Sequence, residues 1–281
     1  MGEGRIENLQ GQGKTKGGLK FGLELMARAR VGTILSEGLA YLAEVPPDRP
    51  LVFATSHITD LDIPIAGSVL ADRFTLGIAQ ISKLARDPRN IAGMLVTGIH
   101  NYFPIQYAGR RDAWIPGAIR IGDYEVMVRA MKDKGKAIMF AMHKPTYDHI
   151  LPDRAGLGAV ILAHMADALV IPIAIDVQVA DKFIGKQGAS ASMSMLGQRP
   201  DAKVRVGNPL YLPPISAFDQ WVEIMKKRKV PMDSETRQLM KDVHQKIRVQ
   251  ADDMMNIIAS LLQKEKRGIW NAELQISKYH R

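Results

Sequence analysis

The stretch Leu51-Val-Phe-Ala-Thr-Ser-His57-Ile-Thr-Asp-Leu-Asp62-Ile-Pro64 passes from an apolar, β-rich run to the start of a helix. The run 51–55 has the length and composition of a buried strand, and Asp62 and Pro64 are residues that begin helices. We therefore predict a strand at 51–55 and a helix at 61–70. His57 would lie directly after this strand, and ligands of α/β sheets bind at the carboxyl ends of strands.

The same alternation of short strands and helices continues through the middle of the chain. Strands are predicted at 51–55, 74–79, 102–105, 136–141, 169–175 and 204–206, and helices at 61–70, 84–97, 119–132 and 154–166. Alternating elements of this kind are typical of α/β proteins. The expected fold class is therefore α/β, with a largely parallel central sheet flanked by helices.

Helical additions are predicted on both sides of this core. Apolar residues recur at three- and four-residue steps over 17–44, with Lys and Arg nearby, which indicates a basic amphipathic helix. After residue 214 the chain becomes helical again, with a long helix capped by Asp233 or Ser234 and running to about residue 266. The expected parts are an N-terminal helical segment, an α/β core and a C-terminal helical segment, at 1–45, 46–215 and 216–281.

Charge and composition limit the classes of partner. The 281-residue chain carries a net charge of +9, has a pI of about 9.6 and contains no cysteine, which excludes disulfides, thiolate nucleophiles and cysteine-ligated zinc. A basic chain associates with anionic partners. Aromatic residues make up only 6%, and they do not interleave with basic residues as they do where proteins stack on bases. An anionic membrane surface and phosphorylated small molecules are the expected partners, and nucleic-acid binding is the least favoured function.

No stretch of the sequence predicts a membrane span. The longest apolar stretch, 155–175, is interrupted by His164, Asp167 and Pro172, whereas a spanning helix needs about 20 apolar residues. The polar first ten residues do not have the pattern of a signal peptide. The expected localisation is cytoplasmic, or peripheral on the cytoplasmic face of a membrane.

His57 and Asp62 are the candidate catalytic residues. Asp62 lies five residues after His57, which on a continuous helix is a rotation of about 500° that turns the two side chains apart. They meet only if a turn precedes the helix. An aspartate bound to one imidazole nitrogen leaves the other nitrogen basic and stabilises the imidazolium formed when a hydroxyl gives up its proton. The pair thus suits acyl transfer to an alcohol, and the alternatives are a structural histidine and a plain helix N-cap.

The residues around His57 and several later stretches form a recognisable set of sequence blocks. The first is Ser56-His57-Ile-Thr59-Asp-Leu-Asp62. The second block, at 73–83, is a predicted strand with Lys83 close behind it. The remaining blocks lie at 98–105, 154–175 and 204–209. Together they resemble the glycerolipid acyltransferase family, which includes lysophosphatidic acid and glycerol-3-phosphate acyltransferases and whose first block reads Asn-His-x-Ser-x-x-Asp. The resemblance covers about residues 46–214.

This resemblance implies transfer of a fatty acyl group from acyl-CoA or acyl carrier protein to a hydroxyl of a lipid or polyol, in phospholipid biosynthesis. His57 is then the general base, oriented by Asp62, and the acyl thioester is a substrate, so that no cofactor is expected. No metal is expected either, because no histidine spacing is typical of a metal site, and His164 is interpreted as a core histidine. The candidate substrate-binding residues are Thr59, Lys83, Arg110, Arg111, His143 and Lys144, although Gln106 stands where the family has its acceptor-binding arginine.

The third block departs from the family pattern. The family reads Phe-Pro-Glu-Gly-Thr-Arg, whereas this chain has Phe140-Ala-Met-His143-Lys144-Pro-Thr146. In the family this block helps to hold the acceptor, often through a phosphate, and its glutamate, glycine and arginine are missing here. His143 and Lys144 remain as candidate anion ligands. The loss disfavours a glycerol-phosphate acceptor, and it leaves a non-catalytic lipid- or acyl-CoA-binding protein of the same fold as the alternative.

Overall fold

The computed structural model describes residues 18–46, 48–57, 62–81, 101–106, 120–144, 146, 150–178, 199–227 and 232–270. Its strands are β1 (Ile34–Glu37), β2 (Leu51–Thr55), β3 (Thr75–Ile81), β4 (Tyr102–Ile105), β5 (Lys136–Ala141), β6 (Leu169–Val177) and β7 (Ala202–Val206). Its α-helices are α1 (Gly18–Arg30), α2 (Asp62–Leu70), α3 (Ile121–Lys134), α4 (Gly158–Ala166), α5 (Phe218–Lys226) and α6 (Ser234–Ser260). Short 3₁₀ helices cover Leu39–Glu44 and Lys264–Lys266.

The strands of the described residues form one seven-stranded sheet in the order β1-β7-β6-β2-β5-β3-β4. Strands β6, β2, β5, β3 and β4 are parallel to one another. Strand β7 runs antiparallel to β6, and β1 runs parallel to β7. The predicted α/β class with a largely parallel central sheet is confirmed. Because parallel strands place their carboxyl ends at one edge, the residues that follow β2 and β5 are brought together there.

Alternate side chains of the strands point to opposite faces of the sheet and define two hydrophobic layers. In β2, Leu51 and Phe53 belong to the layer covered by α1 and α2, whereas Val52 and Ala54 belong to the layer covered by the other four helices. Every residue of β2 and of β6 is buried, as is typical of the central strands of a parallel sheet. Strands β2 and β6 are therefore covered by side chains on both faces of the sheet.

The continuous helix predicted over 17–44 is wrong, because α1 ends at Arg30 and the chain becomes helical again only in the separate 3₁₀ helix Leu39–Glu44. After Arg30, the last residue of α1, the chain continues into β1, which pairs with β7. Gly38 follows with a φ of +76°, and a Cβ atom there would lie 2.0 Å from the Val206 carbonyl oxygen. Strand pairing and this close approach override the helical spacing of the apolar residues. As a result, β1 enters the sheet from within the segment 1–45.

The C-terminal helix begins as predicted and ends earlier than predicted. Asp233 is the N-cap of α6, and its Oδ1 atom accepts a hydrogen bond of 2.7 Å from a backbone N–H of the first turn. The helix ends at Ser260, not near residue 266. The Arg267 guanidinium donates two hydrogen bonds, of 3.0 and 2.9 Å, to the Leu262 carbonyl oxygen. The Arg267 side chain thus satisfies the Leu262 carbonyl, which in a longer helix would accept a backbone hydrogen bond.

The remaining predicted elements are present with shifts of a few residues at their ends, apart from the helix predicted at 84–97, which lies outside the described residues. The helix α5 was not predicted as a separate element. Among the helices that the structure describes, none is long and apolar enough to cross a membrane.

Candidate active site

The carboxyl end of β2 is fixed to both neighbouring strands. The Ser56 N–H donates to the Ile173 carbonyl at 2.9 Å, and Ser56 Oγ accepts from the Ile175 N–H at 3.0 Å. On the other side, the Met142 N–H donates to the Thr55 carbonyl at 2.9 Å. Ser56 is fully buried, so its hydroxyl group ties β2 to β6. Sequence reasoning identified Ser56 only as the residue in place of the family's asparagine, although a polar residue directly after a buried strand was a usable signal.

His57 and Asp62 come together just beyond this edge. The His57 Nδ1 and Asp62 Oδ2 atoms are 3.3 Å apart, which is the contact that the predicted pair requires. Asp62 is the first residue of α2 and is 0% exposed, whereas the side chain of His57 is 13% exposed. The positive end of the helix dipole favours a carboxylate at this position. A buried carboxylate therefore faces a histidine that is partly open to solvent.

This contact fixes the tautomer of neutral His57. An ionised carboxylate only accepts hydrogen bonds, so Nδ1 donates to Asp62 and Nε2 is the basic nitrogen. A separation of 3.3 Å is long for a charge-assisted hydrogen bond, and catalytic hydrogen bonds often shorten only in the substrate complex. The arrangement can take a proton from a hydroxyl group placed against Nε2.

His143 lies against the backbone of His57. The His57 N–H donates to His143 Nε2 at 3.1 Å, and His143 Nδ1 donates to the Lys144 carbonyl oxygen at 2.7 Å. The pairing of β2 with β5, with Thr55 opposite Ala141, places the two histidines at the same edge. Lys144 is exposed. The structure thus brings His143 to the predicted catalytic pair, while the roles of His143 and Lys144 as anion ligands stay predictions.

Four of the predicted substrate-binding residues lie outside the described residues, namely Thr59, Lys83, Arg110 and Arg111. Their roles stay predictions. An acyltransferase also requires a long apolar groove for the acyl chain, which the sequence interpretation places beside His57. This groove stays a prediction, because residues 58–61 and 82–100, which follow β2 and β3, belong to the same undescribed part of the chain.

His164, interpreted from the sequence as a core histidine, is half-buried and has structural partners. It lies in α4, its Nε2 donates to Gln250 Oε1 at 2.6 Å, and its ring packs against Phe218 with the ring centroids 5.0 Å apart. Burial lowers the pKa of His164 below its ordinary value of 6.5, although the hydrogen bond to Gln250 opposes the shift. Within the described ranges, no group of three or more histidine or acidic side chains is arranged to hold a metal ion.

A cavity of about 300 Å³ lies at the end of the sheet opposite to His57. Its lining includes His164 and Asp167 from the end of α4 and Phe218 from the start of α5. Asp167 comes two residues before β6, so the cavity lies at the amino ends of the parallel strands, whereas His57 lies at their carboxyl ends. This cavity is therefore distinct from the acyl groove predicted beside His57.

Comparison with known proteins gives distant likenesses among solved structures. No protein-family model and no curated protein matches the chain. Among solved structures, it is similar to the crystal structure of the 1-acyl-sn-glycerophosphate (LPA) acyltransferase, PlsC, from Thermotoga maritima. The TM-score is 0.45 and the sequence identity is 13%, over 74% of this chain and 76% of that chain. A likeness this distant does not transfer a function, so the chemistry has to be argued from the side chains of this chain.

Proposed function

We propose that the chain is an O-acyltransferase that moves a fatty acyl group from acyl-CoA or acyl carrier protein to a hydroxyl of a lipid or polyol. The observation that supports this most strongly is the 3.3 Å contact between His57 Nδ1 and the fully buried Asp62. The contact lies at the edge of the sheet where α/β proteins bind ligands. Both residues also stand at the His and Asp positions of the family block that the sequence resembles.

In the proposed reaction, His57 Nε2 takes the proton of the acceptor hydroxyl as the hydroxyl oxygen attacks the carbonyl carbon of the thioester. A C–O bond forms, and the resulting oxyanion collapses with cleavage of the C–S bond. The imidazolium then gives its proton to the departing thiolate, so the products are an ester and a free thiol. Asp62 stays ionised and stabilises the imidazolium.

The oxyanion needs hydrogen-bond donors close to the reacting carbonyl. Thr59 and backbone N–H groups are the proposed donors. The N–H of His57 itself is not among them, because it already donates to His143. Lys83, Arg110, Arg111 and Lys144 are proposed as contacts for anionic groups of either substrate, since cationic side chains form strong hydrogen bonds with phosphate.

The outer face of α1 supports a peripheral location on an anionic membrane. Leu19 and Leu23 are buried against the core, whereas Phe21 and Leu25 are 64% and 50% exposed. Phe21 and Leu25 lie four residues apart and therefore on one side of the helix, and Arg28 is exposed nearby. Apolar side chains beside basic ones are typical of helices that lie in a membrane interface. An acceptor lipid would then be taken from the membrane surface.

The direct test is release of free thiol from palmitoyl-CoA by the purified protein, measured with a panel of lipid and polyol acceptors. The comparison is between the wild type, His57→Ala and the matched control His244→Ala, which removes an imidazole from α6. We expect release that depends on an acceptor, that is abolished in His57→Ala and that is retained in the control.

Two other results would have different meanings. If no acceptor supports release from palmitoyl-CoA or palmitoyl-acyl carrier protein, and both thioesters bind equally to the wild type and to His57→Ala, the chain is a lipid- or thioester-binding protein and not an acyltransferase. If release depends on an acceptor but persists in His57→Ala, the activity is correct and the assigned base is wrong.

A further inference from the structure

The two hydrogen bonds of His143 determine which of its nitrogens carries the proton. A backbone carbonyl only accepts, so Nδ1, at 2.7 Å from the Lys144 oxygen, carries a hydrogen. A backbone N–H only donates, so Nε2, at 3.1 Å from the His57 nitrogen, carries none. In neutral His143, these two main-chain groups therefore select the tautomer with the proton on Nδ1.

This side chain takes over a hydrogen bond that the sheet would otherwise supply. The pairing of Thr55 with Ala141, and the bond from the Met142 N–H to the Thr55 carbonyl, show the parallel ladder of β2 and β5. If the ladder continued, the His57 N–H would donate to the Met142 carbonyl. Instead, Met142 O accepts from the Gly156 N–H, and His57 donates to the imidazole of His143.

The loop that carries His143 is held in place by close packing. Met142 is fully buried, and a Cβ atom on Gly156 would lie 2.6 Å from the Met142 carbonyl oxygen. The glycine is therefore needed for the approach that redirects this carbonyl away from His57. Further along the same loop, the Leu151 N–H donates to the Lys266 carbonyl at 2.9 Å, and the Lys266 side chain pairs with Asp176. The loop is thus braced by the segment that follows α6.

We propose that His143 is a positioning residue for His57. Its Nε2 atom holds the backbone of His57 at the end of β2, so that the His57 imidazole keeps its contact with Asp62. The catalytic consequence rests on the proposed function, in which His57 is the base. This role differs from the anion-ligand role predicted from the sequence, in which His143 would contact a substrate instead of acting through His57.

Nuclear magnetic resonance of the full chain labelled with ¹⁵N tests the contact without relying on any activity. The wild type should show a coupling across the hydrogen bond between the His57 amide nitrogen and His143 Nε2, and ring shifts of a neutral His143 protonated at Nδ1. The Nδ1–H of His57, bonded to Asp62, should give a downfield proton signal. This signal should disappear in His143→Leu and persist in His143→Gln, whose side-chain oxygen can still accept.

Absence of the coupling, or a His143 protonated at Nε2, would overturn the proposal. So would an unchanged His57 signal in His143→Leu. Circular dichroism and thermal unfolding establish that each variant is folded. If His143→Leu does not fold, the wild-type coupling and the His143→Gln variant still decide the question.

Steady-state kinetics then separate positioning from substrate binding. Displacing a catalytic group by about 1 Å can cost about 10²-fold in rate, so His143→Leu should lower kcat by about that factor, with the acceptor KM nearly unchanged. His143→Gln should restore most of kcat. A raised KM with normal kcat would instead make His143 a substrate ligand and overturn the positioning role. If the wild type has no turnover with any acceptor, the proposed function fails, while the spectroscopic result still shows whether His143 positions His57.

Discussion

Replacing Asp62 by Asn should remove the charge that orients His57 while keeping the size of a fully buried side chain. The new amide can donate to Nδ1 of His57, which moves the proton to Nε2 and removes the base. A positioned general base contributes about 10²–10⁴ in rate, or about 3–5 kcal/mol of barrier. Because the Nδ1–Oδ2 separation is 3.3 Å, longer than a strong ionic hydrogen bond, we expect a loss near the middle of this range, about 10³ in kcat.

The assay is the initial rate of thiol release at saturating thioester and acceptor, with kcat and the acceptor KM determined separately. The acceptor KM should change little, because Asp62 acts on His57 and not on the substrate. Asp133→Asn, at an exposed position of α3, is the matched control for loss of one carboxylate. A folded Asp62→Asn variant whose kcat stays within about threefold of the wild type would refute the role of Asp62 as the orienting group.

Three variants outside the pair test other parts of the structure. Leu23→Ala, at a fully buried position packed on Gly67, should lower the free energy of unfolding in urea by about 2–5 kcal/mol, and a much smaller loss would mean that α1 is not docked on α2. Because burial lowers the pKa of His164 below 6.5, protonation favours the unfolded chain, and stability present above pH 6.5 should be lost as the pH falls toward the lowered pKa. His164→Gln should flatten this dependence of urea unfolding on pH, and an unchanged slope would contradict the assignment. The double substitution Phe21→Ser and Leu25→Ser should weaken cosedimentation with anionic vesicles, whereas full binding would exclude this face of α1 as the membrane contact.

The central strands of the sheet were predictable because burial on both faces leaves a continuous apolar run. Strands β2, β5 and β6 have such runs, and each is bounded by turn or helix-starting residues. Strand β1 was missed because its apolar residues fit the helical spacing that begins in α1. Its pairing partner, β7, lies far along the chain, and no local pattern in 34–37 indicates that partner. The strand state of β1 is therefore a tertiary effect.

In the site, too, contacts between residues close in the sequence were predictable, whereas contacts between distant residues were not. His57 and Asp62 are five residues apart, so a strand followed by a helix start could predict their contact on the condition that a turn precedes the helix. The contact between His57 and His143 depends on the register of β2 against β5 and on the redirected carbonyl of Met142. Neither feature is encoded in a short motif. A histidine in the third block could therefore be interpreted from the sequence only as a possible ligand.

The proposed function requires that the acyl group ends on a hydroxyl of the acceptor through the action of His57. The most direct measurement is mass spectrometry of the acceptor after incubation with palmitoyl-CoA, with the wild type and with His57→Ala in parallel. With the wild type, we expect the acceptor to gain the mass of one palmitoyl group, attached through an ester. With the variant, we expect unmodified acceptor. Thiol release with only free palmitate as product, or equal ester formation by the two proteins, would contradict this requirement.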